Sequence, residues 1–74
     1  METTDKKESK NLMDGLFDEM NRCRELLKEY EAIGSAGIFG ATMIKMDIAK
    51  AEQAIRNNDV VQMLIAYEAL KEIK

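Results

Sequence analysis

Three glycines stand just before a predicted helix, at a spacing that suits an anion-binding loop. Gly34, Gly37 and Gly40 fall within seven residues, and the apolar segment ATMIKMDI follows directly. Free backbone N–H groups at the start of a helix can donate hydrogen bonds to a phosphate or a carboxylate. The candidate anion-binding residues of this segment are Ser35, Gly37, Thr42 and Lys45.

The same glycines also have a purely structural interpretation, which we favour. Their spacing is not that of a GxxxxGK[ST] phosphate loop, and no strand is predicted before them, as a dinucleotide fold would require. Gly34 can end the first helix in a left-handed conformation. Gly37 and Gly40 can let two backbones approach closely. Anion binding is therefore the alternative interpretation of this segment.

The remaining chemistry of the sequence is sparse. The chain has no histidine, which removes the commonest general base and metal ligand. Cys23 is the single cysteine and stands at an apolar helical position, so we expect a buried thiol rather than a reactive one. No carboxylates are spaced as a catalytic pair. The sequence predicts a protein that is not an enzyme, with no catalytic residue, metal site or cofactor.

Charge and hydropathy exclude further classes. Fourteen acidic and 11 basic residues give a net charge of −3, whereas nucleic-acid binders usually carry a basic surplus. The polar N-terminal segment does not resemble a signal peptide, and no apolar run approaches the roughly 20 residues of a membrane span. We therefore expect a cytoplasmic protein without a nucleic-acid or membrane partner, in a compartment that keeps the lone cysteine reduced.

Helical periodicity dominates the rest of the chain. Residues 1–10 are polar and predict a flexible charged tail. Two acid-first i,i+4 pairs, Asp18 with Arg22 and Glu52 with Arg56, favour helix in the first and second predicted helices. The first helix is predicted over about 11–33. Its apolar positions recur every three or four residues: Leu12, Met13, Leu16, Phe17, Met20, Cys23, Leu27 and Tyr30.

Two more helices follow, over about 36–56 and 60–73. Ser35 is the expected N-cap of the second, with a start at Gly37 as the alternative. Asp59, followed by Gln62, is a strong N-cap for the third. Because both connections are short, neighbouring helices should be antiparallel. The predicted fold is an all-α, three-helix domain spanning 11–74, in which helix 1 packs on an antiparallel hairpin of helices 2 and 3.

Helix 2 carries two apolar stripes, which is one more than a three-helix domain can cover. One stripe contains Ala41, Ile44, Ile48, Ala51 and Ile55, and suits the shared core. The second occupies only the first half of the helix, while helices 1 and 3 each present essentially one apolar face. We expect the second stripe to be an interface, either with a copy of this chain in a homodimer or higher even oligomer or with a partner. Its residues are Ile38, Phe39, Gly40, Met43 and Met46.

The C-terminal half of the chain resembles small accessory proteins encoded by bacteriophages and prophages. The likeness lies in the block GIFGATMIKMDIAKAEQAIRNNDVVQMLIAYEALKEI, preceded by a short charged head and one helix. Proteins of this kind often bind and block a host protein or sequester a signalling molecule. The resemblance implies no catalytic residue.

These observations together predict a non-enzymatic helical interaction protein. The resemblance suggests a phage-type accessory factor that binds and modulates or inhibits a protein of a bacterial host, in the host cytoplasm. The alternative is an oligomer that binds or sequesters a nucleotide or another anion in the region from Gly34 to Lys45.

Overall fold

Three α-helices and one short 3₁₀ turn make up the fold. The computed structural model describes the backbone of residues 2–74 and the side chains of residues 12–74. Helix α1 spans Glu2–Ala32, α2 spans Ile38–Arg56 and α3 spans Val60–Glu72, with the 3₁₀ turn Gly34–Gly37 between α1 and α2. Each helix packs against the other two. The predicted all-α architecture, with α1 on an α2–α3 hairpin, is confirmed.

Helix α1 begins earlier than the sequence predicts. Its backbone is helical from Glu2, whereas the predicted start was near Asn11. Residues 2–14 contain neither glycine nor proline, and several are glutamate or lysine, which are good helix formers. A helix that is already nucleated extends through such residues at little cost. The flexibility of residues 1–10 stays a prediction, and Met1 lies outside the described residues.

The connection between α1 and α2 depends on two glycines with different roles. Gly34 has a φ of +73°, the left-handed conformation predicted for the end of the first helix. Gly37 is buried, and a Cβ there would overlap the carbonyl oxygen of Tyr30. Gly37 is also the N-cap of α2, and no side chain caps this helix, so the predicted capping role of Ser35 is wrong. The 3₁₀ turn places Ser35 inside itself and delays the start of α2 to Ile38.

The connection between α2 and α3 is a tight turn at Asn58 and Asp59. Asn58 has a φ of +54°, and the backbone N–H groups of Asn58 and Asp59 donate to the carbonyl oxygens of Ile55 and Ala54. This is a Schellman ending, with asparagine where glycine is usual. The Asp59 carboxylate then accepts from the N–H of Gln62 at 3.1 Å, which confirms the predicted cap of α3. Adjacent residues thus end one helix and start the next.

The core lies along the line where the three helices meet. In α2 it contains the predicted stripe, with Ala41, Ile44, Ile48 and Ala51 buried. Small side chains are frequent in it, so the helices approach closely but bury few large groups. The buried apolar side chains of the described part are Leu16, Met20, Cys23, Ala41, Ile44, Ile48, Ala51, Ala54, Met63, Ala66 and Leu70.

Polar side chains of α1 form contacts with the other two helices. The Arg22 guanidinium donates to the carbonyl oxygen of Leu70 at 2.8 Å, and the Cys23 thiol points at the same oxygen from 3.7 Å. Arg24 forms an ion pair with Glu52 at 3.0 Å. Arg22 also pairs locally with Glu19 at 2.9 Å, rather than with the predicted Asp18, and Glu52 pairs with Arg24 of α1 rather than with the predicted Arg56.

Substitution of Gly37 tests the close approach of α1 to the 3₁₀ turn. Gly37→Ala should lower the free energy of unfolding by about 2 kcal/mol, because the new methyl group must displace the Tyr30 backbone. Ser35→Ala in the same turn should change it by less than about 0.5 kcal/mol, because this exposed side chain caps nothing. Urea unfolding followed by circular dichroism measures both, and equal losses would contradict this description of the turn.

Candidate functional site

The second stripe of α2 lies in solvent, where the sequence analysis places an interface. Phe39 is 82% exposed, and Ile38, Met43 and Met46 are each more than half exposed. Phenylalanine and methionine side chains of this size are normally removed from water in a stable fold. This surface therefore holds apolar area that the other helices do not cover.

Gly40 has a different position from the other residues predicted for this interface. It lies on the side of α2 that faces Tyr30, and a Cβ at Gly40 would overlap the Tyr30 ring. The Tyr30 hydroxyl in turn donates to the carbonyl oxygen of Lys74 at 3.2 Å. Gly40 thus makes room for an aromatic ring of the same chain, and the exposed stripe contains Phe39, Met43 and Met46 without it.

Helix α3 leaves a second set of large apolar side chains exposed, which the sequence reasoning missed. Val60, Val61, Leu64 and Ile65 are each about half exposed or more. The buried positions of α3 are Met63, Ala66 and Leu70, which form one narrow line. The signal was present in the sequence, because valines, leucine and isoleucine occupy more than one side of the first half of α3. The prediction from the sequence instead assigns this helix essentially one apolar face.

Some of the exposed residues of α2 and α3 share one side of the α2–α3 hairpin. Met43, Asp47, Ala69 and Glu72 line a depression of about 240 Å³ between the helices. Further along, Asp47, Lys50, Ile65 and Ala69 line a smaller one of about 70 Å³. Ile44, which is buried, also lines the first depression, and Ile48 lies in the core. By helical spacing, Phe39 and Met46 continue the line of Met43 and Lys50, and Val61 continues that of Ile65 and Glu72. We call this surface the hairpin face; its exposed members are Phe39, Met43, Met46, Lys50, Val61, Ile65 and Glu72.

A groove does form at the residues predicted to bind an anion. It measures about 460 Å³ and is lined by Glu31, Gly34, Ser35, Ile38, Ala41, Thr42 and Lys45. Ser35, Thr42 and Lys45 are therefore brought together as predicted, whereas Gly37 is buried and does not line the groove.

Lys45 and Thr42, two of the polar residues of this groove, already have partners. The Lys45 ammonium lies 3.3 Å from the Glu31 carboxylate. The Thr42 hydroxyl donates to the carbonyl oxygen of Ile38 at 2.9 Å. An anion would have to displace Glu31 from Lys45 and would meet its negative charge, so the groove is electrostatically balanced rather than basic. Anion binding stays a prediction.

No cluster of three or more metal-ligating side chains occurs among the residues that the structure describes. Within the same part of the chain, no helix has both the length and the apolar character needed to cross a membrane.

Cys23 is fully buried in the core, as predicted. Burial raises the pKa of its thiol above the ordinary value of 9.0, and the Arg22 charge offsets part of this rise, while Glu19 and Asp47 add to it. A buried thiol with a raised pKa holds little thiolate at neutral pH, and thiolate is the reactive form. Cys23 therefore acts as a small apolar side chain of the core.

Comparisons with protein-family models, with curated proteins and with solved structures found no significant match to this chain.

The raised pKa of Cys23 predicts a pH dependence of stability. The contribution of the protonated thiol is complete below about pH 9 and is lost as the pH rises towards the folded-state value. At neutral pH, Cys23→Ala should have the lower free energy of unfolding, because the substitution leaves a cavity. In the alkaline range, the free energy of unfolding of the wild type should fall with pH more steeply than that of Cys23→Ala, by up to about 1.4 kcal/mol per pH unit. Urea unfolding at several pH values measures the difference. Parallel curves for the two proteins would show that this thiol does not titrate with unfolding.

Proposed function

We propose that this chain is a non-enzymatic interaction protein that binds another protein through apolar surface on the α2–α3 hairpin. The observation that carries the proposal is the exposure of large apolar side chains on both helices, from Phe39 on α2 to Leu64 on α3. Contiguous exposed apolar surface, rimmed by charged groups, is typical of protein-binding sites. The absence of histidine and the burial of the single cysteine support a function without catalysis.

The outer side of α3 is the part of this surface that we assign to a foreign partner. Val60 and Leu64 are one turn apart on the same side of the helix, so together they present an apolar ridge. Glu68 and Lys71, which pair loosely at 4.0 Å, lie beyond this ridge towards the end of the helix. An apolar centre next to a polar rim is the usual arrangement in interfaces that form between separately folded proteins.

The resemblance to phage accessory proteins narrows the class of partner that we propose. On that basis the partner is a protein of a bacterial host, bound in the host cytoplasm and modulated or inhibited by the binding. The net charge of −3 supports a protein partner over a nucleic acid, because phosphate backbones repel acidic surfaces.

Capture from a bacterial lysate tests the proposed function. Immobilised wild-type protein should retain a host protein, and the purified host protein should then bind in solution with a saturable isotherm. Leu64→Asp should weaken this binding at least tenfold, because it places a charge in an apolar contact. Ala49→Asp adds the same charge at an exposed position of α2 and should leave binding unchanged. Binding that is insensitive to Leu64→Asp would contradict the assignment to α3.

Anion binding in the groove at Lys45 is the second candidate function, favoured only by the meeting of Ser35, Thr42 and Lys45 in one groove. If it is right, a nucleotide should raise the melting temperature with concentration. Glu31→Gln should enhance this shift by releasing Lys45, and Lys45→Ala should abolish it. The absence of a shift in wild type and in Glu31→Gln, across a panel of nucleotides and inorganic phosphate, would exclude this function.

A further inference from the structure

We propose that a second copy of this chain covers the hairpin face, through antiparallel pairing of the two α2 helices about a twofold axis. The proposal is separate from that of a foreign partner, because it is centred on Phe39, Met43 and Met46 of α2, whereas the foreign partner is assigned to Val60 and Leu64 on the outer side of α3. It commits Phe39, Met43 and Met46 to self-association.

The spacing of the exposed residues on α2 fits a helix as the neighbour. Phe39, Met43, Met46, Lys50 and Gln53 are separated by four, three, four and three residues. This alternation is the a/d pattern of a coiled-coil seam, which keeps one line of side chains facing a partner helix at a shallow crossing angle. The seam is separate from the buried stripe at Ile44 and Ile48, so a partner helix can dock without disturbing the core.

Lys50 sets the direction of the pairing. In a parallel dimer the two Lys50 side chains would meet at the same level of the seam, and their charges would repel. An antiparallel pairing that sets Met43 against Met46 of the second copy instead places Lys50 against Phe39. The aliphatic stem of a lysine packs on apolar surface, and its ammonium is attracted to an aromatic face. The antiparallel arrangement thus gives Phe39, Met43, Met46 and Lys50 each a compatible neighbour.

Helix α3 adds complementary groups to the same arrangement. Glu72 shares a depression with Met43, near the start of α2, and Ile65 shares one with Lys50, near its end. The twofold axis brings these two ends of the hairpin face together. Lys50 of one copy then approaches Glu72 of the other, while Ile65 approaches Phe39. One end offers an acid and an aromatic ring, and the other offers a base and an aliphatic group, so the face is complementary to itself.

The size of the hairpin face agrees with a dimer interface. Phe39, Met43, Met46, Val61 and Ile65 are each more than half exposed. Together they present on the order of 500 Å² of apolar surface, and the stems of Lys50 and Gln53 extend this towards the roughly 800 Å² per partner of a standard interface. The buried core of one chain is rich in alanine, and chains of this length commonly gain stability by associating. A two-hairpin interface would place four helices side by side, with each α1 on the outside.

The mass in solution tests the dimer. At tens of micromolar, light scattering should give twice the 8.4 kDa of one chain for the wild type. Phe39→Asp and Met46→Asp should each give monomers with unchanged helix content by circular dichroism, because both side chains are exposed in the single chain. A wild-type protein that is monomeric at this concentration overturns the dimer proposal, whatever the two variants show. That result would not affect the test of binding to a foreign partner with Leu64→Asp.

A charge exchange tests the antiparallel arrangement. Lys50→Glu and Glu72→Lys should each weaken dimerisation about tenfold, because each sets like charges against each other across the interface. The double variant Lys50→Glu/Glu72→Lys should recover most of this loss. Lys28→Glu on α1 makes the same change of net charge at an exposed position outside the face and should have little effect. A double variant that dimerises no better than the weaker single variant overturns the proposed pairing.

Discussion

The contact of Tyr30 with the start of α2 determines which side of that helix faces inward. The ring occupies the space left by Gly40, the backbone of Tyr30 lies against Gly37, and the hydroxyl reaches the carbonyl oxygen of Lys74 after α3. One residue near the end of α1 therefore fixes the ends of the other two helices. Once Gly40 faces Tyr30, the helical period turns Ile44 and Ile48 into the core, and Phe39 and Met46 towards solvent.

A helix in a three-helix domain has two neighbours and can bury only the sides that face them. In α2 and α3 the buried residues accordingly form a narrow line along each helix, and several of them are alanines. Ala51, Ala54 and Ala66 let the helices approach closely, but small side chains contribute little burial. The larger apolar groups of the same helices are left outside. The exposed surface is thus a direct consequence of how the core is built.

Much of the fold could be predicted because it depends on local signals. Gly34 ends α1 and Asp59 caps α3 through the conformation and hydrogen bonds of residues next to them in the sequence. The three- and four-residue spacing of apolar groups is likewise visible within a few turns of one helix. The core stripe of α2 followed from the same spacing. The exposed stripe was predicted by counting apolar sides against available neighbours, and the structure leaves these residues uncovered in the single chain.

Other features depend on contacts between helices, which spacing alone does not reveal. Arg24 pairs with Glu52 from another helix, and Arg22 reaches Leu70, because packing brings these groups within reach. The exposure of Val61 and Ile65 depends on how α3 is rotated about its own axis. A 13-residue helix with apolar groups on more than one side does not specify that rotation from sequence. The role of Gly40 depended on the position of a ring ten residues earlier.

The methionines offer the most direct test of the central claim, that the second side of α2 is a contact surface separate from the core. Met43 and Met46 lie on that side, whereas Met20 and Met63 are buried among the three helices. Dilution of protein labelled at the methionine methyl groups should shift the NMR signals of Met43 and Met46 as the dimer dissociates, and leave those of Met20 and Met63 in place. Signals of Met43 and Met46 that do not change with concentration, or a shift of all four together, would contradict this account.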